Sequence, residues 1–583
     1  MRYLIVAIAL FAGSAQARPI SPADTVFRNG YIYTVDVKDS VAQALAVKDG
    51  RIIYVGDEAG AKAFTGRQTQ VVDLKGRMIM PGLIDGHMHP QSGGLRMLNC
   101  NLNYESLTIP EFQTHIQKCV DDDKTAGPDD WLQVINWFEQ GAKPAGTAPT
   151  RAALDGVKTT RPIKVHSSFG HSNLTNTRGL QLAGITRDTP DPKDGVIVRD
   201  ASGEPTGLLQ DAAQDLIDKL VPPPSVEKNY QATQLALKAM REQGITTFLD
   251  AYTDIETMTA YRTVSKEGGL TARAHFAVLI DSPADYDADK AIAEVLKEKA
   301  EFAQKPDGAK PVMTVDTAKL FLDGVYSAPA FSAVMVEPYF DNGRPGHNHG
   351  PKPYFSQSQL NDTLIRLAAA GINPHMHADG DGSVRMGLNA VEAMRRVHPG
   401  DDIRPAIAHD EIVDPSDYKR YAEVGALPVL SFQWARPSID IMQSQPALGP
   451  VRSALMEPAG LLEIYGARIV YGSDWPVDAL DEWLALQIAV TRKAIGEDAV
   501  TYPDRLGIDP GLTVAQAVRA ITLNAAYSLR QDRETGSLET GKFADLIVLD
   551  RNLFQIKPEE IGATQVLMAM VGGKVVYRAA GFK

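Results

Sequence analysis

Cysteine is scarce in this sequence: among 583 residues there are two, Cys100 and Cys119. That count excludes a zinc site built from cysteines. An oxidising compartment would let the two pair, stabilising the fold by about 3 kcal/mol in the entropic account; two separate thiols fit equally well. Positive charge is also in deficit, with 59 Lys and Arg against 72 Asp and Glu and a formal net charge of -13. This excludes a general nucleic-acid binder. No stretch of the chain is long and uncharged enough to span a bilayer. There is no repeat of solenoid period and no low-complexity tract. What remains, with 44% hydrophobic residues, is ample material for a large buried core.

The first residues read as a secretory leader. Arg2 is the basic start, Tyr3 to Ala12 is apolar, and Ala15-Gln16-Ala17 fits a small-x-small cleavage site before Arg18. The expectation is a signal peptide over 1–17 and an exported, soluble, periplasmic protein.

Residues 18–80 are strand-like, in short runs around Ala23 to Arg28, Tyr31 to Val35, Ala42 to Val47 and Arg51 to Val55. Asn29-Gly30 and Asp49-Gly50 are expected hairpin turns between them. Residues 528–583 have the same texture, with Gly572-Gly573 as a turn. The two ends together predict a small composite β-sandwich. Between them, over 81–527, a unit recurs: amphipathic helix, glycine, apolar strand. Examples centre on Gly244, Gly371, Gly425 and Gly466. Glycine suits the position just past a helix because it tolerates the left-handed conformation. Such alternation predicts an α/β fold with a parallel sheet, and this many units predict a distorted TIM (β/α)8 barrel. Over about 98–224 the alternation blurs. That segment reads as an insertion after the first barrel strand, lying over the barrel mouth.

The candidate chemistry sits at predicted strand ends, where a barrel gathers functional groups. Pro81 to Pro90 is an apolar strand ending in His87 and His89. Their i, i+2 spacing points both imidazoles the same way. His377, His409 and Asp474 close three other predicted strands. Lys319 lies in a further one, ahead of Asp323-Gly324. Neutral imidazoles and a carboxylate suit Zn²⁺. A lysine among them fits if it is carbamylated, which turns a cation into an anion able to bridge two metals. His375, Asp250 and Asp85 are expected to support these ligands rather than join them.

These residues carry a resemblance. Pro81-Gly-Leu-Ile-Asp-Gly-His-Met-His89, Lys319-Leu-Phe-Leu-Asp-Gly324, His377-Ala-Asp-Gly-Asp381, His409, Gly472-Ser-Asp-Trp-Pro476 and the ending Gly536 to Leu549 are similar to motifs of the amidohydrolase superfamily. The chain resembles in particular the amidohydrolase-3 branch, which includes N-substituted formamide deformylases. Gly170-His171 followed by Asn176 resembles a further motif of that branch. The resemblance implies one or two divalent metals, with His87, His89 and Asp474 on one, His377 and His409 on the other, and carbamylated Lys319 as bridge. The chain departs from the pattern at Ala378-Asp379-Gly380, which is more polar than usual, and at Ala408, where an acid usually precedes the histidine.

The implied reaction is hydrolysis of an amide-type C–N bond of a small molecule, not of a protein backbone, by a water that the metal activates. Asp474 shuttles the proton, His171 is a second catalytic residue that hydrogen-bonds the substrate or the oxyanion, and Trp137 contacts substrate. A mononuclear deaminase, an ester or lactone hydrolase, and a non-catalytic binding protein of the same fold are the alternatives. Monomer and homo-oligomer are both left open.

Overall fold

The computed structural model describes residues 21–124, 127–168, 170, 172–193, 195–281, 286–327 and 330–582. The expected signal peptide and His171 lie outside the described residues.

Eight parallel strands make the central sheet: β1 (Leu83–Met88), β2 (Ile245–Thr253), β3 (Arg273–Leu279), β4 (Met313–Phe321), β5 (Asn373–Ala378), β6 (Ala406–His409), β7 (Leu427–Leu430) and β8 (Val470–Tyr471). They neighbour one another in chain order. Helices such as Val226–Gln243, Ile255–Lys266, Gln357–Ala369 and Asp381–Val397 connect them. The expected Gly244, Gly371, Gly425 and Gly466 follow the helices that lead into β2, β5, β7 and β8. Gly244, at φ +91°, stops Val226–Gln243 and lets the chain turn straight into β2. Phe248, Phe276, Val315, Leu320, Met376 and Ile407 belong to the main apolar core. Inside the barrel, Leu249, Ala406, Ala408 and Val429 pack with Ala525 and Leu529.

The barrel is a ring because β8 comes back to β1. Past the strand bodies, the Asp474 N–H donates to the His87 carbonyl (2.8 Å) and the His89 N–H to the Trp475 carbonyl (2.7 Å). Gly472 makes this seam possible. A Cβ there would sit 2.4 Å from the His87 Cβ. The expected distorted TIM barrel is thus observed, with its two ends joined at the histidines.

Two terminal sheets form the composite sandwich. One contains Thr25–Arg28, Ala44–Lys48, Arg51–Gly56 and Gln70–Asp73. The other joins the two ends of the chain, with the C-terminal Lys574–Arg578, Val566–Val571 and Leu546–Leu549 followed by the N-terminal Met78–Pro81, Tyr31–Tyr33 and Val41–Ala42. Phe27, Leu45, Ile79, Leu546 and Met568 share one buried cluster between them. One expected turn is corrected. Asn29-Gly30 is not a hairpin, because Thr25–Arg28 and Tyr31–Tyr33 belong to different sheets. Asn29 has positive φ and Gly30 does not, whereas Asp49 and Gly50 both do and form the true hairpin.

The segment whose alternation blurs has a fold of its own. It carries a mixed sheet in the order Gly195–Arg199, Pro205–Asp211, Ser172–Thr175, Ile163–Ser167, Leu132–Trp137, Cys100–Asn101. Its core includes Leu102, Phe112, Ile116, Val134, Trp137 and Val165. Cys100 and Cys119 are joined in a disulfide, with Cα atoms 5.6 Å apart. This ties the edge strand to helix Ile109–Asp122.

Candidate active site

His89 lies just past the end of β1, and β1 itself delivers His87 to the mouth. Asp85, two residues earlier on the same face, anchors the seam. Its carboxyl accepts from the His87 N–H (3.0 Å), the Ser473 N–H (3.1 Å) and the Ser473 hydroxyl (2.5 Å). Burial pushes this carboxyl up to about 7. The clamp positions Asp474 directly. Asp474 Oδ1 lies 3.4 Å from His87 Nε2 and 3.0 Å from His89 Nε2. His87, His89 and Asp474 offer ligand atoms within 4.8 Å of one another.

The other ring nitrogen of His87 is spoken for. Its Nδ1 is 2.8 Å from His375 Nε2, a hydrogen bond across the barrel. With His87 as the donor, Nε2 keeps its lone pair facing Asp474. Asp250 stands behind His89, with its Oδ1 4.0 Å from Nδ1. His375, Asp250 and Asp85 therefore lie behind the His87, His89 and Asp474 group.

On the far side, His377 and His409 meet with ring centroids 4.4 Å apart. Asp379 joins them, and His377, Asp379 and His409 form a second group whose ligand atoms lie within 4.8 Å. Asp379 Oδ1 is buried without a hydrogen-bond partner. The Asp379 N–H is held by Asp323, which also accepts from the Gly380 N–H and the Ser383 hydroxyl. Neither Asp379 nor Asp323 is among the expected ligands. The polar departure at Ala378-Asp379-Gly380 is the only signal that pointed there.

Lys319 lies between the two groups. It is 1% exposed, with Nζ 3.5 Å from His87 Nε2. Burial draws its ammonium down to about 8. Burial also holds His87, His375 and His409 well below the ordinary imidazole range, and His377 down to about 3. These rings are neutral at pH 7, the form that ligates a metal. Burial pushes Asp474 up, but hydrogen bonding from His89 and electrostatic interactions with its neighbours, the Lys319 ammonium among them, outweigh it, so the carboxyl stays below its usual range. A divalent ion fits this donor set of neutral imidazoles and an ionised carboxylate. The backbone is strained where the ligands are presented, with φ of 85° at His409 and 54° at Asp474. Such residues cost roughly 1–3 kcal/mol each.

The ligands open into a cavity of about 280 Å³ that His377, His409 and Asp474 border. The insertion supplies part of its wall, through Tyr104, Phe138 and Ser168. Tyr104 Oη and Arg96 Nη1 both donate to the Pro476 carbonyl (3.0 and 2.7 Å), which docks the insertion to the β8 loop. Trp137 does not reach the cavity. It is 3% exposed, its ring packed near Phe112 in the insertion core. This corrects the expectation that it contacts substrate.

A model of the family described as the amidohydrolase family matches residues 70–577. The N-substituted formamide deformylase of Arthrobacter pascens is 27% identical over 575 residues, covering 96% of this chain and 99% of that protein. Two solved structures share the fold. An uncharacterized metal-dependent hydrolase from Pyrococcus horikoshii OT3 has a TM-score of 0.69 at 21% identity, covering 92% of this chain and 99% of its own. An adenosine deaminase from Xanthomonas campestris, with bound zinc, has a TM-score of 0.54 at 15% identity, covering 97% and 95%.

Proposed function

The chain belongs to the amidohydrolase family and carries the donor set of a metal-dependent hydrolase, and we propose that it opens an amide-type carbon–nitrogen bond of a small molecule rather than of a protein backbone. The observation that carries this reading is the pair of facing ligand groups, His87, His89 and Asp474 against His377, Asp379 and His409, at the head of one cavity. Likeness to a formamide deformylase over nearly the whole of both chains supports the bond type.

In this reading the first group holds one divalent ion and the second group another. Lys319, carbamylated, stands between them. Its burial beside the ligands favours the uncharged amine that can add carbon dioxide and lose a proton. Zinc is the proposed metal because the donors are imidazole and carboxylate, and the Xanthomonas relative binds it. When bound, such an ion lowers the pKa of water toward 7 and polarises a substrate carbonyl. Asp474 takes the proton of the attacking water at Oδ1 and returns it to the departing nitrogen. The neutral His377 and His409 rings face the same space and keep it free of competing positive charge. His171, by resemblance, contacts substrate from the insertion.

We also propose that the protein is exported. A leader over 1–17 supports this, as does the Cys100–Cys119 disulfide, which oxidising compartments permit. An N-terminus at Arg18 in the secreted protein is the expected result of mass spectrometry.

The central test is elemental analysis of protein purified without added metal, together with release of formate and amine from a panel of N-substituted formamides. Bound zinc and release of both products are expected. Metal-loaded protein that releases neither product removes the proposal. Crystallographic density that ends at a bare Lys319 amine in a metal-loaded site removes the bridge.

A further inference from the structure

One part of the cavity wall is rich in carboxylates. Asp440, Asp478 and Asp498 line it, and the cation that lines it with them is Arg436. Arg436 is already matched, with Nη1 3.3 Å from Asp498 Oδ2. Its Nε is buried without a partner, yet one guanidinium cannot balance three carboxylates. Asp478 accepts from a neutral donor, the Trp434 indole N–H at 3.0 Å. Asp440 accepts from the Ser438 hydroxyl at 3.5 Å, a long contact. Burial and the charges of Asp478 and Asp498 push Asp440 up to about 6, so it is still largely ionised at neutral pH.

A second, independent feature asks for the same kind of ligand. Gln433 lines the cavity and is 8% exposed. Its Nε2 donates to the Ser473 carbonyl at 2.6 Å, which fixes the orientation of the amide. Its Oε1 is then an acceptor with no donor, and it is buried. A buried acceptor left unsatisfied costs about 1–3 kcal/mol, so a ligand N–H is the group that site lacks. The walls agree. Phe138, Tyr326 and Trp434 line the same space, and aromatic faces beside carboxylates are the usual surroundings of a bound ammonium.

We infer that this part of the cavity wall binds a protonated amine, so that the substrate is an amide carrying a second, cationic nitrogen. Asp440 and Asp478 supply the counter-charge, Gln433 accepts an N–H, and Trp434 and Tyr326 flank the cation. The inference rests on the reading of the site as a hydrolase of carbon–nitrogen bonds.

Two probes of nearly equal shape separate charge from size. N-(4-aminobutyl)formamide is protonated at neutral pH, and N-pentylformamide replaces the ammonium by a methyl group. With the metal-loaded chain, kcat/KM is expected to favour the charged probe by about tenfold or more, the scale of a charge-assisted pair. Asp440→Asn and Asp478→Asn are each expected to pull that ratio toward one, chiefly through KM for the charged probe. Asparagine keeps an acceptor for the Trp434 indole, so neither change removes a structural bond. Calorimetric binding of both probes to metal-loaded Asp474→Asn gives the same comparison without turnover. Tighter binding of the charged probe there upholds the inference even if neither formamide is cleaved, an outcome that removes the bond assignment instead. Equal binding, a preference for the neutral probe, or no binding of either at millimolar concentration overturns the inference.

Discussion

The barrel mouth buries histidines, a lysine and carboxylates, whereas the insertion that leans on it buries Leu102, Phe112, Ile116, Val134 and Trp137 and ties itself with a disulfide. Both are α/β units, and both are well buried. They differ in which buried polar atoms lack a partner: in the insertion these are glutamine oxygens, Gln140 Oε1 and Gln214 Oε1, whereas the mouth leaves carboxylate oxygens as well. At the mouth, Asp250, Asp379 and Gln433 have atoms with no hydrogen-bond partner. In the insertion, Asn176 caps its helix by accepting from the Gly179 N–H and also accepts from the Ile163 N–H. Unpaired buried polar groups cost stability, and they persist where something outside the protein completes them. The mouth is arranged for ligands and the insertion for cohesion. Substitutions in the two should therefore separate activity from stability.

The largest separation is expected at Asp474. Asp474→Asn removes a ligand charge and the proton acceptor while preserving shape. Turnover should fall by about 10²–10⁴-fold, the range for losing a general base. The melting temperature should stay within about 2 °C, since no packing is lost. A large drop in melting temperature with proportionate loss of activity would mean that Asp474 is structural and that the comparison has been drawn in the wrong place.

The mouth was more legible in the sequence than the insertion, for a physical reason. The register of β1 against β2 shifts twice, the second time between Asp85 and Met88, but His87 and His89 both still reach the first ligand group, because a barrel brings all strand ends to one ring. Parity fails at Trp137. In Leu132–Trp137 a strict alternation puts Trp137 on the face opposite Leu132 and Val134. The structure breaks the register between Val134 and Trp137, with φ of 55° at Asn136. That bulge turns Trp137 into the core beside Val134 and leaves Phe138 to line the cavity. Asp379 was hidden differently. It follows the end of β5, and only the packing of Asp323 against its backbone aims it at His377 and His409.

Trp137→Ala tests the other side of the comparison. Removing a buried tryptophan costs roughly 3–5 kcal/mol. The loss should fall on the insertion, read as faster hydrogen exchange in Leu132–Trp137 and Ile163–Ser167 with barrel strands unchanged. Metal content should be unaffected. Lost activity with unchanged exchange would instead put Trp137 against substrate and reverse the correction made above.

The smallest expected effect is at the disulfide. Cys100 and Cys119 are separated by 19 residues, and the bond pins helix Ile109–Asp122 to an edge strand rather than to the barrel. Cys119→Ser should cost about 3 kcal/mol in the loop-entropy account. Because the cross-link lies at the sheet edge, the loss should show as local exchange in that helix. Tyr104, which follows the edge strand and docks on the Pro476 carbonyl, carries any disturbance toward the cavity. A modest rise in KM with unchanged metal content is therefore expected. Loss of metal on reducing this bond would show that the two regions are not separate after all, and that the insertion sets the ligand geometry as well as the cavity wall.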